Sequence, residues 1–78
     1  MIPNLSLHLE NLACPMPLLK TKKALATLAA GETVEVYATD AGVPQDFALF
    51  CQKTGHQLLT LDTLESGVFY VLIQKKSD

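Results

Sequence analysis

No arginine occurs among the 78 residues of the chain, and its six cations are all lysines. Against them stand eight acids, for a net charge of −2. A nucleic-acid binder needs a basic face, usually with arginine to pair with phosphates, so direct nucleic-acid binding is not expected. Cysteine is scarce too: there are two, where a disulfide-framed mini-protein carries roughly four to eight. No apolar run approaches the roughly 18 residues that a membrane span needs. Met1-Ile2-Pro3-Asn4 has no basic segment leading into an apolar one, so no signal peptide is expected. These absences together predict a soluble protein of the reducing cytoplasm with both thiols free.

Apolar residues are abundant, at 49% against 18% charged, which excludes a disordered chain. The length predicts one domain spanning 1–78, without linkers, repeats or low-complexity tracts. A domain this small buries only roughly 60–65% of its unfolded surface. Nearly every apolar side chain is therefore committed to the core, which leaves little sequence for an elaborate pocket.

The local patterns divide the chain cleanly. Leu5, Leu7 and Leu9 alternate with Ser6, His8 and Glu10, the period-two pattern of a half-buried strand. A helix opens at Pro15 and runs to Ala30, with Leu18, Thr21, Leu25 and Leu28 on one face and Gly31 as its stop. Thr33–Thr39 is a second strand, with Val34, Val36 and Ala38 on one side. After the turn Asp40-Ala41-Gly42-Val43, Pro44 opens a second helix. Phe47, Phe50, Cys51 and Thr54 form its apolar stripe and Gly55 its end. His56–Asp62 and Val68–Lys75 read as two strands joined by Glu65-Ser66-Gly67. The order β-α-β-α-β-β predicts an α+β fold: a two-layer sandwich with two helices on one face of a mixed four-stranded sheet.

Chemistry concentrates at Cys14-Pro15-Met16-Pro17, the junction of the first strand and first helix. With Pro15 as the first helical residue, Cys14 is predicted to be the N-cap, where the helix dipole favours a negative atom. Pro15 and Pro17 remove two backbone donors and leave the N–H groups of Met16 and Leu18 to point at the sulfur. Cysteines so placed can have their thiol pKa lowered into the range of about 3.5–7.5. The prolines also stiffen the turn, so the thiol is expected to stand out from the body as a nucleophile or group carrier. Pro17 occupies the second cysteine position of a Cys-x-x-Cys pair, which disfavours local dithiol chemistry. A single thiol that accepts and passes on a sulfur atom or an acyl group remains.

The segment Leu12-Ala13-Cys14-Pro15-Met16-Pro17-Leu18-Leu19-Lys20-Thr21-Lys22-Lys23-Ala24-Leu25 resembles the signature of the TusA-like (SirA-like) sulfur carriers. Thr39-Asp40-Ala41-Gly42-Val43-Pro44-Gln45-Asp46-Phe47, Phe50-Cys51 and Gly55-His56 resemble the second segment of that family. The resemblance implies a compact two-layer sandwich whose Cys14 carries a persulfide, with Pro15 and Pro17 shaping the turn. It implies a donor such as a cysteine desulfurase or a rhodanese-like protein. The implied acceptor is a relay protein for tRNA thiolation, molybdenum-cofactor synthesis or sulfur oxidation. Family members usually have glycine three residues before the cysteine. Here that residue is Asn11, the non-glycine residue most tolerant of positive φ. The competing reading is a non-catalytic interaction or regulatory module, in which the Cys-Pro-x-Pro turn only shapes a docking surface.

The remaining candidates read as structural. Cys51 could resolve or share sulfur with Cys14, but its place beside Phe50 on the apolar stripe of the second helix favours the core. His8 and His56 lie on different strands and, with the cysteines, lack metal-ligand spacing. Neither a metal ion nor a cofactor is expected, and the protein is expected to act as a monomer. Lys20, Lys22 and Lys23 form a positive cluster suited either to an acidic partner or to a solvated face. Asp40 and Asp46 flank the start of the second helix, where capping is the expected role.

Overall fold

The structure, a computed structural model, describes residues 2–77; Met1 and Asp78, the ends of the expected 1–78 domain, lie outside the described residues. Its strands are β1 (Leu5–Leu9), β2 (Thr33–Ala38), β3 (Gln57–Thr63) and β4 (Phe69–Gln74). Helix α1 (Met16–Ala26) follows β1, and α2 (Val43–Thr54) follows β2. A short 3-10 turn at Glu65–Gly67 joins β3 to β4. The sheet order is β1-β2-β4-β3, with β1 parallel to β2 and the other pairs antiparallel. This is the expected mixed sheet, with both helices on one face.

The alternation seen in the sequence selects that face. Leu5, Leu7 and Leu9 lie opposite Val34, Val36 and Ala38, which in turn lie opposite Ile73, Val71 and Phe69. Val34, Val36, Val71 and Ile73 have no solvent exposure, and burying each such side chain contributes about 1.5–3 kcal/mol. Leu25, Val43, Phe47 and Cys51 close over them from the helices. The molecule measures 35 × 25 × 17 Å, two layers thick along its short axis.

Strand β3 departs from simple alternation. Its register with β4 shifts between Leu58 and Thr60, so Leu59 bulges outward. Leu58 and Leu61, three residues apart, consequently both pack on the core.

Helix α1 is shorter than its composition suggests, starting at Met16 instead of Pro15 and ending at Ala26 instead of Ala30. Thr27 causes the early stop: its N–H and its hydroxyl both donate to the Ala24 carbonyl, at 3.0 and 2.7 Å. Gly31 therefore does not cap the helix. It takes a positive φ of 85° in the turn before β2, and its N–H donates to the Lys75 carbonyl at 3.0 Å.

Candidate functional site

Two adjacent parallel strands, each followed by a helix, bring both helix N-termini to the carboxyl end of the sheet. The first βα connection is Glu10–Pro15 and the second Thr39–Gly42, so residues far apart in sequence meet there. Ligand sites in open α/β sheets gather at this end for the same topological reason.

The first connection turns sharply at Asn11, whose φ is 69° and whose N–H donates to Thr39 Oγ1 at 2.8 Å. Cys14 follows on the exposed rim, and the Cys14–Pro15 peptide is cis. The N-cap of α1 is Pro15, one residue later than expected, and no side chain caps the helix. Met16 N–H donates to the Ala13 carbonyl at 2.9 Å, and Pro17 has no N–H. Contrary to the sequence expectation, then, the Met16 donor is spent on the backbone and not aimed at the sulfur.

The sulfur has a different partner. Cys14 Sγ donates its proton to Asp46 Oδ2 at 3.1 Å, across from the first turn of α2. This hydrogen bond raises the thiol pKa above its ordinary value. Desolvation and the negative charges of Asp46 and Asp40 act in the same direction. The expected lowering is thus reversed, because the nearest strong field comes from carboxylates and not from free backbone donors.

Asp40 accepts the Gly42 N–H at 3.0 Å within the turn before α2, but Gly42 is the N-cap and no side chain caps the helix, so neither acid makes the expected capping bond. Asp46 makes its contact with the thiol instead. Gly42 lies between the two acids: a Cβ there would sit 3.1 Å from Asp40 Oδ2 and 3.2 Å from Asp46 Oδ2. Pro15, Pro17, Leu18, Val43 and Phe47 complete the walls of the cleft, which is too shallow to enclose a small molecule.

The sequence and the fold both match known proteins. The family described as "Sulfurtransferase TusA" matches residues 6–75. The chain belongs to the TusA family. A Neisseria meningitidis protein provisionally named a sulfur carrier is 45% identical over 71 residues, covering 91% of this chain and 95% of the relative. The sulfur carrier protein TusA of Allochromatium vinosum is 39% identical over 69 residues, covering 88% of this chain and 90% of its own. The crystal structure of a SirA-like protein from Desulfitobacterium hafniense superposes with a TM-score of 0.83 at 27% identity, covering 94% of this chain and 99% of the other.

Within this TusA-family chain the other candidates lie apart from Cys14. Cys51 is 5% exposed beneath α2, and burial pushes its thiol pKa up to about 11. His8 lies on the open face of the sheet, stacked on Tyr37 at 5.0 Å between ring centroids. Tyr37 in turn meets the edge of Tyr70, whose hydroxyl donates to Glu35 Oε1 at 2.9 Å. His56 Nδ1 accepts the Lys76 N–H at 3.1 Å. Lys20, Lys22 and Lys23 are exposed on α1. Among the described residues no group of three or more His, Cys, Asp or Glu could hold a metal ion, and no helix is long and apolar enough to cross a membrane. The Asp46 contact is the feature that sequence reading missed. Its signal was topological: parallel β1 and β2 bring an acid in the first turn of α2 close to a cysteine that precedes α1.

Proposed function

We propose that this protein is a sulfur carrier that accepts sulfane sulfur as a persulfide on Cys14 and passes it to an acceptor protein. One observation carries the reading: Cys14 is an exposed thiol on the rim of a cleft too shallow for a small substrate. Such a thiol suits chemistry in which the partner protein supplies the rest of the reaction site. Membership of the TusA family and relatives named sulfur carriers support it.

In loading, Cys14 Sγ attacks the outer sulfur of a donor persulfide. A bond forms between Sγ and that sulfur, the donor's S–S bond breaks, and the donor sulfur leaves as a thiol once it has taken up the proton lost by Cys14. Unloading repeats the exchange with an acceptor nucleophile. Pro15 and Pro17 shape the turn that presents the sulfur. The donor is a cysteine desulfurase or a rhodanese-like protein, the acceptor is a protein of a sulfur relay, and the setting is the reducing cytoplasm. Cys51, buried under α2, takes no part.

The test is intact-mass measurement after incubation with cysteine and a desulfurase, or with thiosulfate and a rhodanese. The expected result is a gain of one sulfur on the wild type and none on Cys14→Ser. No gain with either donor overturns the reading.

A further inference from the structure

The groups surrounding Cys14 have a polarity that the carrier reading does not require. From α2 comes the carboxylate of Asp46, in contact at 3.1 Å, and from the preceding turn comes Asp40. From α1 come Pro17 and Leu18, both uncharged, while Lys22 of α1 and Lys53 of α2 line a neighbouring groove that shares Leu18 and Asp46. Asp46 is half-buried, and the walls beside it are the apolar side chains of Val43 and Phe47. The charges that act on the sulfur are both negative. A carboxylate in that position can only accept, so it is satisfied when the sulfur carries a proton.

We propose that Asp46 is a positioning residue that distinguishes the empty from the loaded state of Cys14, holding the empty sulfur as a thiol and opposing an anionic persulfide. The inference rests on the carrier reading above. In the empty protein Sγ–H donates to Oδ2, and the sulfur is kept out of its reactive, oxidisable thiolate form. Once loaded, Sγ is bonded to Cβ and to the outer sulfur and has no proton to give. The contact is lost, and the outer sulfur, when anionic, is repelled by Asp46 and Asp40. It turns away from α2 toward solvent, where an acceptor can reach it. During loading the donor's S–S bond breaks as the new S–S bond forms, and the Sγ proton ends on the departing donor sulfur. On release, the acceptor sulfur attacks the outer sulfur, the Cys14 sulfur leaves as a thiolate, and on reprotonation it regains Asp46. The carboxylate thereby favours delivery over retention.

The test compares wild type with Asp46→Asn, which keeps the shape but removes the charge. The rate of alkylation of Cys14 by iodoacetamide is followed against pH by intact mass, with circular dichroism confirming the fold. The expected result at pH 7 is alkylation about 3- to 10-fold faster in Asp46→Asn, with the midpoint of the profile moved to lower pH. Asp46→Glu, which keeps the charge, stays nearer the wild type, and Asp40→Asn shows a smaller increase. The second readout is the loaded fraction at equilibrium with a mixture of glutathione persulfide and glutathione. The ratio of loaded to empty protein is expected to rise about 3- to 10-fold in Asp46→Asn. An unchanged or higher midpoint in folded Asp46→Asn overturns the proposal, and so does an unchanged loaded ratio. If Asp46→Asn does not fold, the Asp40→Asn profile decides: a midpoint at or above the wild type overturns the proposal. Alkylation needs no sulfur donor, so its outcome is separable from failure of the carrier reading, which would appear as absence of persulfide on the wild type.

Discussion

Cys14 stands on the rim of the molecule and donates to a carboxylate, whereas Cys51 is sealed beneath α2 with its pKa pushed up to about 11 by burial. Iodoacetamide at pH 8 is therefore expected to modify Cys14 in the folded protein well before Cys51, with equal rates only after unfolding. Equal rates before unfolding would contradict the burial of Cys51. Its raised pKa also links stability to pH. An unfolded chain releases the Cys51 proton near pH 9 and the folded one only near pH 11, so stability is full below about pH 9 and declines as pH rises through that window. Urea midpoints at pH 8 and pH 10.5 should show this loss, on the order of 1–2 kcal/mol, and Cys51→Ala should lessen it, leaving the share that comes from the raised pKa values of Cys14 and Tyr70. The core placement of Cys51 was legible because its i, i+3, i+4 spacing marks one helix face. So was the positive φ of Asn11, because the resembled family usually has glycine there and asparagine is the residue that best replaces it at such a turn. The Asp46 partnership was not legible. It joins residues 32 positions apart and depends on which strands are neighbours.

Elements were legible where periodicity and punctuation coincide, and less so where a single side chain decides. Helix α2 ends at Gly55 as expected: the glycine has φ 89° and its N–H donates to the Cys51 carbonyl at 2.9 Å. Gly55→Ala should cost about 1 kcal/mol by thermal or urea unfolding, because alanine resists the left-handed region. The Cβ itself would meet only Lys76 Cδ at 3.5 Å, so a much larger loss would mean that the backbone there is held by more than the cap. By contrast, the early end of α1 depends on the Thr27 hydroxyl, and the Leu59 bulge on fitting two leucines to one core. Propensity cannot reveal either one, because each is a choice between local alternatives that tertiary packing settles.

For the whole molecule, the order of elements implied two helices on a mixed sheet, but not that β4 would insert between β2 and β3. That insertion places Val71 and Ile73 at the centre, opposite Val36 and Val34. Phe47, 1% exposed, joins the helix layer to this centre. Phe47→Ala should cost about 3–5 kcal/mol, a large share of the roughly 4–12 kcal/mol expected of a chain this size. A melting temperature lowered by about 15–30 °C is the expected outcome. Phe47→Leu should lose far less, and equal losses would mean that volume at this position is not what joins the layers.

The same sheet fixes where the chain enters and leaves. Asn4 N–H donates to the Thr33 carbonyl at 2.9 Å and Lys75 N–H to the Glu32 carbonyl at 2.8 Å, both at the start of β2. Cys14 lies beyond the finish of β1, alongside the opposite end of β2. Any tether attached beyond Asn4 or Lys75 therefore departs from the far end of the molecule. The protein can be anchored to a surface, or spliced to a larger enzyme at either side, with its sulfur still facing outward like the tip of a probe.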